Sequence, residues 1–166
     1  MTWHADSEHL HLSAQHVAGH YDPWLDVRLN WPRVRVVIEP MSGDLLGEVR
    51  DGGRTIALRA GTSGAQRRCT LTHEIVHLER GILDCGPWLQ REELRVHSTA
   101  ARRLLPLPAL IAGIRDLGAA EDRAALAQLL DVDGETLSLR LTQLTAAERR
   151  SLRRALARQS QFWSVA

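Results

Sequence analysis

The feature that most constrains this chain is His73-Glu74-Ile75-Val76-His77, an H-E-x-x-H. Residues four apart on an α-helix stand one turn above each other on a single face. Read as a helix, the segment lets both imidazoles reach one Zn²⁺ at ~2.0–2.1 Å. Glu74 then lies about 100° round the helix, beside the ion. That position suits it to hold an ion-bound water, take its proton and pass the proton to a leaving amine. At this chain's own histidine and glutamate counts, a chance H-E-x-x-H has a probability of roughly 2%. The competing reading is two ordinary helix histidines and a surface glutamate.

The motif needs a helix packed beside strands, and its surroundings predict that context. Arg33–Glu39 is β-branched, reads as a strand and ends at Pro40. Leu45–Arg50 and Arg54–Ala60 flank Asp51-Gly52-Gly53, a hairpin signal because such residues accept the positive φ of a tight turn. A helix then runs from about Ala65 to Arg80 and stops at Gly81. A second follows from Leu89 to Leu105, ending at the Pro106/Pro108 pair. Four shorter helices are predicted beyond, over Ala109–Leu117, Ala120–Leu130, Gly134–Leu144 and Ala146–Gln159. Asp133 and Thr145 are N-cap candidates for the last two. Strands followed by helices argue for an α+β fold. The chain divides into a His/Trp-rich segment (1–32), a core of about three strands and two helices (33–108) and a helical region (109–166). Within the first segment, Leu10–Asp26 reads as partly helical. Its histidines His4, His9, His11, His16 and His20 lack tight ligand spacing, which favours a solvated segment.

A catalytic zinc usually takes three protein ligands and keeps one position open for water. On a helical wheel of the second helix, His97 shares a stripe with Leu104, Glu93, Ala101 and Ala100, whereas Glu92, Arg95 and Arg102 point away. A buried polar side chain needs a partner, and a metal ion is one. His97 is therefore the first choice for third ligand, and Glu93 the alternative, with a supporting hydrogen bond to His73 or His77 as its other role. Cys69, one turn before His73, reads as a small buried thiol, and Cys85 as a structural residue of the turn. Tyr21, the only tyrosine, is a weak candidate for stabilising an oxyanion.

The segments Arg67-Arg68-Cys69-Thr70-Leu71-Thr72-His73-Glu74-Ile75-Val76-His77-Leu78-Glu79-Arg80-Gly81 and Ala100-Ala101-Arg102-Arg103-Leu104-Leu105-Pro106-Leu107 resemble the ImmA/IrrE family of metallopeptidases, especially versions from actinobacteria and their phages or mobile elements. The resemblance spans roughly residues 33–145. It implies a zincin-like core joined to a helix-turn-helix-like region, and a zinc peptidase that cleaves a repressor-type DNA-binding protein. His73 and His77 carry over as zinc ligands and Glu74 as the catalytic acid/base. The family usually places an acidic ligand on the following helix. His97 aligns with that position here, and Glu92 and Glu93 lie a turn earlier. Zincins commonly hold substrate along an edge strand. Arg54–Ala60 is the candidate edge, with an internal strand the even alternative.

Leu126–Leu144 reads as helix, turn, helix, but Glu135, Thr136 and Ser138 at the start of its second helix are poor base readers. A packing or substrate-docking role fits better. From residue 140 onward there are six arginines and one acid. Arg149, Arg150, Arg153, Arg154 and Arg158 flank Leu152 and Leu156, an amphipathic pattern that can hold phosphate or acidic protein surface, or simply be solvated. The second functional reading is thus a non-catalytic regulator that binds DNA or a partner through these helices. All twenty-one basic residues are arginine, so any anion contact is made by a guanidinium fork. No apolar run approaches the ~20 residues of a membrane span. The first residues lack the pattern of a signal peptide. Two cysteines are too few for a disulfide framework. A cytoplasmic protein with reduced thiols is expected.

Overall fold

The computed structural model describes residues 21–81, 89–117 and 122–163, with backbone alone at 89 and 158–163. Among them the chain is α+β, with a three-stranded mixed sheet and seven helices. The elements are α1 (Pro23–Asn30), β1 (Arg35–Glu39), β2 (Gly47–Arg50), β3 (Thr55–Arg59), α2 (Gly64–Arg80), α3 (Leu89–Leu104), α4 (Leu107–Leu117), α5 (Arg123–Leu129), α6 (Gly134–Thr142) and α7 (Ala146–Trp163). No described helix is long and apolar enough to cross a membrane. The N-terminal histidines, most of the predicted Leu10–Asp26 helix and Cys85 lie outside the described residues.

The Asp51-Gly52-Gly53 turn forms the expected hairpin, and all three residues have positive φ. Asp51 tolerates that conformation because a short polar side chain can bond locally. Its carboxylate accepts from the Thr55 hydroxyl at 2.7 Å. The strand order is β1-β3-β2, with β3 parallel to β1 and antiparallel to β2. This corrects the edge assignment: β3, the Arg54–Ala60 segment, is central. Thr55, Ile56, Ala57 and Leu58 are all buried, the signature of a strand covered on both faces. Among the described residues, the strand left open beside the motif helix is β2.

Helix α2 starts at a reciprocal Ser63/Gln66 cap and stops at Gly81, whose φ of 81° suits glycine. It serves three cores. Leu71 and Ile75 pack on Ile56 and Leu58 of the sheet. Val76 packs on Val96 and Ala100 of α3. Cys69 joins Leu104, Leu105, Leu110, Leu130 and Leu137 of the helical half. Arg68 reinforces the last link by donating to the carbonyls of Asp131 at 2.7 Å and Tyr21 at 2.9 Å. The predicted caps at Asp133 and Thr145 are both present, and Glu148 reciprocates the second by accepting from the Thr145 N–H.

Candidate metal centre

Helix α2 presents His73 and His77 on one face, and α3 lies against that face. The two Nε2 atoms are 2.9 Å apart. The Glu93 carboxylate reaches both, with one oxygen 3.4 Å from His73 Nε2 and the other 3.3 Å from His77 Nε2. These three side chains form a group able to hold a metal ion. Burial, reinforced by the neighbouring His97 and His77, pushes the His73 imidazole down to about 3. It is therefore neutral at ordinary pH and keeps a lone pair for coordination. A carboxylate and two imidazoles converging on one point repel unless a cation or proton sits among them.

The first choice for third ligand is not in this group. His97 is exposed, and its ring lies against that of His73 with centroids 4.3 Å apart. The buried stripe of α3 runs through Glu92, Val96, Ala100 and Leu104, rotated away from the stripe centred on His97. Val96 at 0% exposure against Val76 sets that rotation. It turns Glu93 toward the imidazoles and leaves His97 and Leu94 at the surface. Glu92, placed outward by the helical wheel, is instead buried beside Arg80, to which it is bonded. The Arg80 and Arg95 guanidiniums hold its carboxyl below the usual range.

Glu74 is 5% exposed and lines the same cleft as His73 and Glu93. Burial first, then the charges of Glu93 and Glu48, push its carboxyl up to about 8. A nearby divalent cation acts in the opposite sense and favours the carboxylate. Strand β2 passes close over this side chain because residue 47 is glycine. A Cβ there would lie 2.5 Å from the Thr70 methyl and 3.3 Å from a Glu74 carboxylate oxygen. Sequence reasoning missed Gly47, although a glycine at the start of a strand is a recognised sign of close approach.

The cleft has a volume of about 660 Å³, within the usual range for ligand sites. One wall is the Asp44–Gly47 stretch leading into β2, and the floor is α2. The other walls are α3 and the first turns of α6, including Glu135, Thr136 and Ser138. Glu135, Thr136 and Ser138, poor base readers by sequence, thus line the cleft that contains the metal group. Cys69 is the buried thiol expected, accepts from the Asp133 N–H at 3.5 Å and has its ionisation pushed up to about 11 by burial. Tyr21 is not among the lining residues. Its hydroxyl donates to Asp26, and its ring carries the Arg103 guanidinium 5.2 Å above.

No protein-family model, no curated protein and no solved structure matches this chain.

Proposed function

We propose that the chain is a zinc endopeptidase of the ImmA/IrrE kind, with a zincin-like core, that cuts a repressor-type DNA-binding protein and so switches gene expression. The observation that carries this reading is the convergence of His73, His77 and Glu93 on one point, with Glu74 buried beside them in an open cleft. A tetrahedral ion ~2.0–2.1 Å from each donor sets donor–donor edges of about 3.3 Å. The two histidine–carboxylate separations, one to each carboxylate oxygen, lie close to that value, the 2.9 Å between the imidazole nitrogens is shorter, and two imidazoles with a carboxylate is a known catalytic zinc donor set. Glu93 is thus the third ligand in this reading. Zinc, when bound, would polarise a scissile carbonyl and acidify a water.

The remaining work falls to the chain's own residues. Glu74 accepts the water's proton and returns it to the leaving amine, and its buried position keeps bulk water from competing. The substrate backbone lies along β2. The Leu46 carbonyl accepts from the Arg59 backbone N–H at 2.8 Å, and antiparallel pairing alternates. The backbone groups of Gly47 and Val49 therefore point away from β3, and those of the less buried Val49 are offered to an extended segment. His97 is free of the metal group and set against His73 at the cleft, so it replaces Tyr21 as the candidate donor to the oxyanion.

The test is incubation of the zinc-loaded protein with the DNA-binding protein encoded beside its gene. Wild type is expected to produce two fragments, and Glu74→Gln to keep its zinc and produce none. Equal regulation by Glu74→Gln and wild type sinks the reading.

One observation favours a second activity. Arg149, Arg150, Arg153 and Arg154 on α7 are exposed, and none is paired with a described carboxylate. Such a face fits the phosphates of nucleic acid.

A further inference from the structure

Acidic side chains predominate on the walls of the cleft. Asp44, Glu74, Glu93, Asp133 and Glu135 all line it, and no arginine is among the described lining residues, although the chain has twenty-one. Glu93 belongs to the metal group, and Asp133 caps α6 by accepting from the Thr136 N–H. Asp44 and Glu135 do neither. Both are exposed, they stand on different walls of the cleft, and neither carboxylate has a hydrogen bond or ion pair with a described residue. The Arg59 guanidinium beside the Asp44 turn is bonded to the carbonyls of Gly43 and Leu45 rather than to Asp44. A separate observation marks the cleft as a place for a ligand. Glu74 is 5% exposed, faces the cleft and makes no hydrogen bond with any described residue.

We infer that Asp44 and Glu135 are specificity determinants, and that the cleft selects an extended protein segment carrying arginine or lysine close to the bond presented at the metal group. This rests on the peptidase reading and narrows its substrate. A cationic side chain relieves the mutual repulsion of the lining carboxylates, whereas an acidic side chain or a phosphate adds to it. Leu45 and Leu46 on the β2 side and Leu94 on α3 are exposed at the same cleft and give the segment's apolar neighbours a surface. Proteins that bind nucleic acid are rich in such cationic segments, so the charge of the cleft and the proposed repressor substrate agree.

The experiment measures binding and cleavage separately, on the full zinc-loaded chain. Fluorescent twelve-residue peptides of one Ala/Ser/Leu background carry either two arginines or two glutamates at matched positions. Binding is read by anisotropy in Glu74→Gln, where turnover does not interfere. The arginine peptide is expected to bind roughly tenfold more tightly, since each exposed pair is worth up to about fivefold. Adding Asp44→Asn and Glu135→Gln should bring the two peptides to near equality, and Asp44→Arg with Glu135→Arg should reverse the order. Both positions are exposed, so these variants are expected to fold, and unchanged zinc content checks that they do. Equal binding of the two peptides, or a preference that survives the double neutral variant, overturns the inference. Cleavage in the wild-type background reports on the peptidase reading alone. A charge preference without cleavage removes that reading and leaves the cleft's selectivity. Equal binding of the two peptides with cleavage of both does the reverse.

Discussion

The two Nε2 atoms and the Glu93 carboxylate gain from meeting only if something positive lies between them. Removing one of three donors from such a site costs far more than removing a ring that merely touches a donor. Glu93→Ala is therefore expected to lower zinc affinity by at least a hundredfold, whereas His97→Ala should retain full stoichiometry. Zinc content after dialysis against a weak chelator decides between them, and full retention in Glu93→Ala reverses the assignment. His97→Ala should then lose on the order of 10²-fold in kcat, the usual penalty for deleting an oxyanion donor. An unchanged kcat makes His97 a bystander. The motif residues were legible because a four-residue spacing on a helix fixes their mutual geometry by itself. The third member of the group that could hold a metal was not singled out. Glu93 and His97 differ by one turn on one helix, and which of them meets α2 depends on how α3 is rotated and shifted against it. That placement is set by Val96 and Ala100 packing on Val76, a contact between elements that periodicity within one element cannot specify.

At the scale of elements, local turn and cap chemistry was legible and the order of pairing was not. Asp51-Gly52-Gly53, Ser63, Gly81 and Asp133 each encode their own backbone conformation. Nothing local to β3 states that β1 joins it in parallel on its far side, which is what makes it central and leaves β2 open. The contact of β2 with α2 has a test in two glycines. At Gly52, with φ of 62°, alanine is strained but meets no atom within 4 Å. At Gly47, alanine must displace Thr70 and crowd Glu74. Both substitutions are expected to cost about 1–3 kcal/mol in urea unfolding. Gly47→Ala alone should also depress cleavage, by tenfold or more, because it moves the proposed acid/base and the strand proposed to hold the substrate. Equal activity in the two variants places the substrate elsewhere.

Across the whole molecule, Glu148 joins three elements. It accepts from Arg140 of α6 at 2.6 Å, from Arg102 of α3 at 3.3 Å and from the Thr145 N–H that begins α7. The Arg140 guanidinium, with the Thr145 N–H, holds its carboxyl at about 2, below the ordinary 4.5. The folded value is depressed, so this stabilisation is complete above 4.5 and is lost as pH falls from there toward 2. Arg140 is 2% exposed, and Glu148→Gln strands its charge, so a loss of about 3 kcal/mol is expected at pH 7. The gap to wild type should close between pH 4.5 and 2 in urea titrations, and a gap independent of pH contradicts the account. The same helix carries Arg149, Arg150, Arg153 and Arg154, exposed and without a carboxylate partner among the described residues, so α7 turns positive charge outward while acidic side chains line the cleft. On the two proposed activities, nucleic acid and substrate would meet different surfaces. Arg149 and Arg153, like Arg150 and Arg154, are spaced about 6 Å apart along the helix axis. If each guanidinium neutralises one phosphate of duplex DNA, log K against log salt should have a slope near −3.6 from these four alone. Replacing all four with glutamine should remove that part of the slope while leaving peptide cleavage unchanged. Absence of duplex binding by wild type at 50 mM salt would falsify the second activity, and a parallel loss of cleavage in the quadruple variant would show that α7 serves the cleft instead.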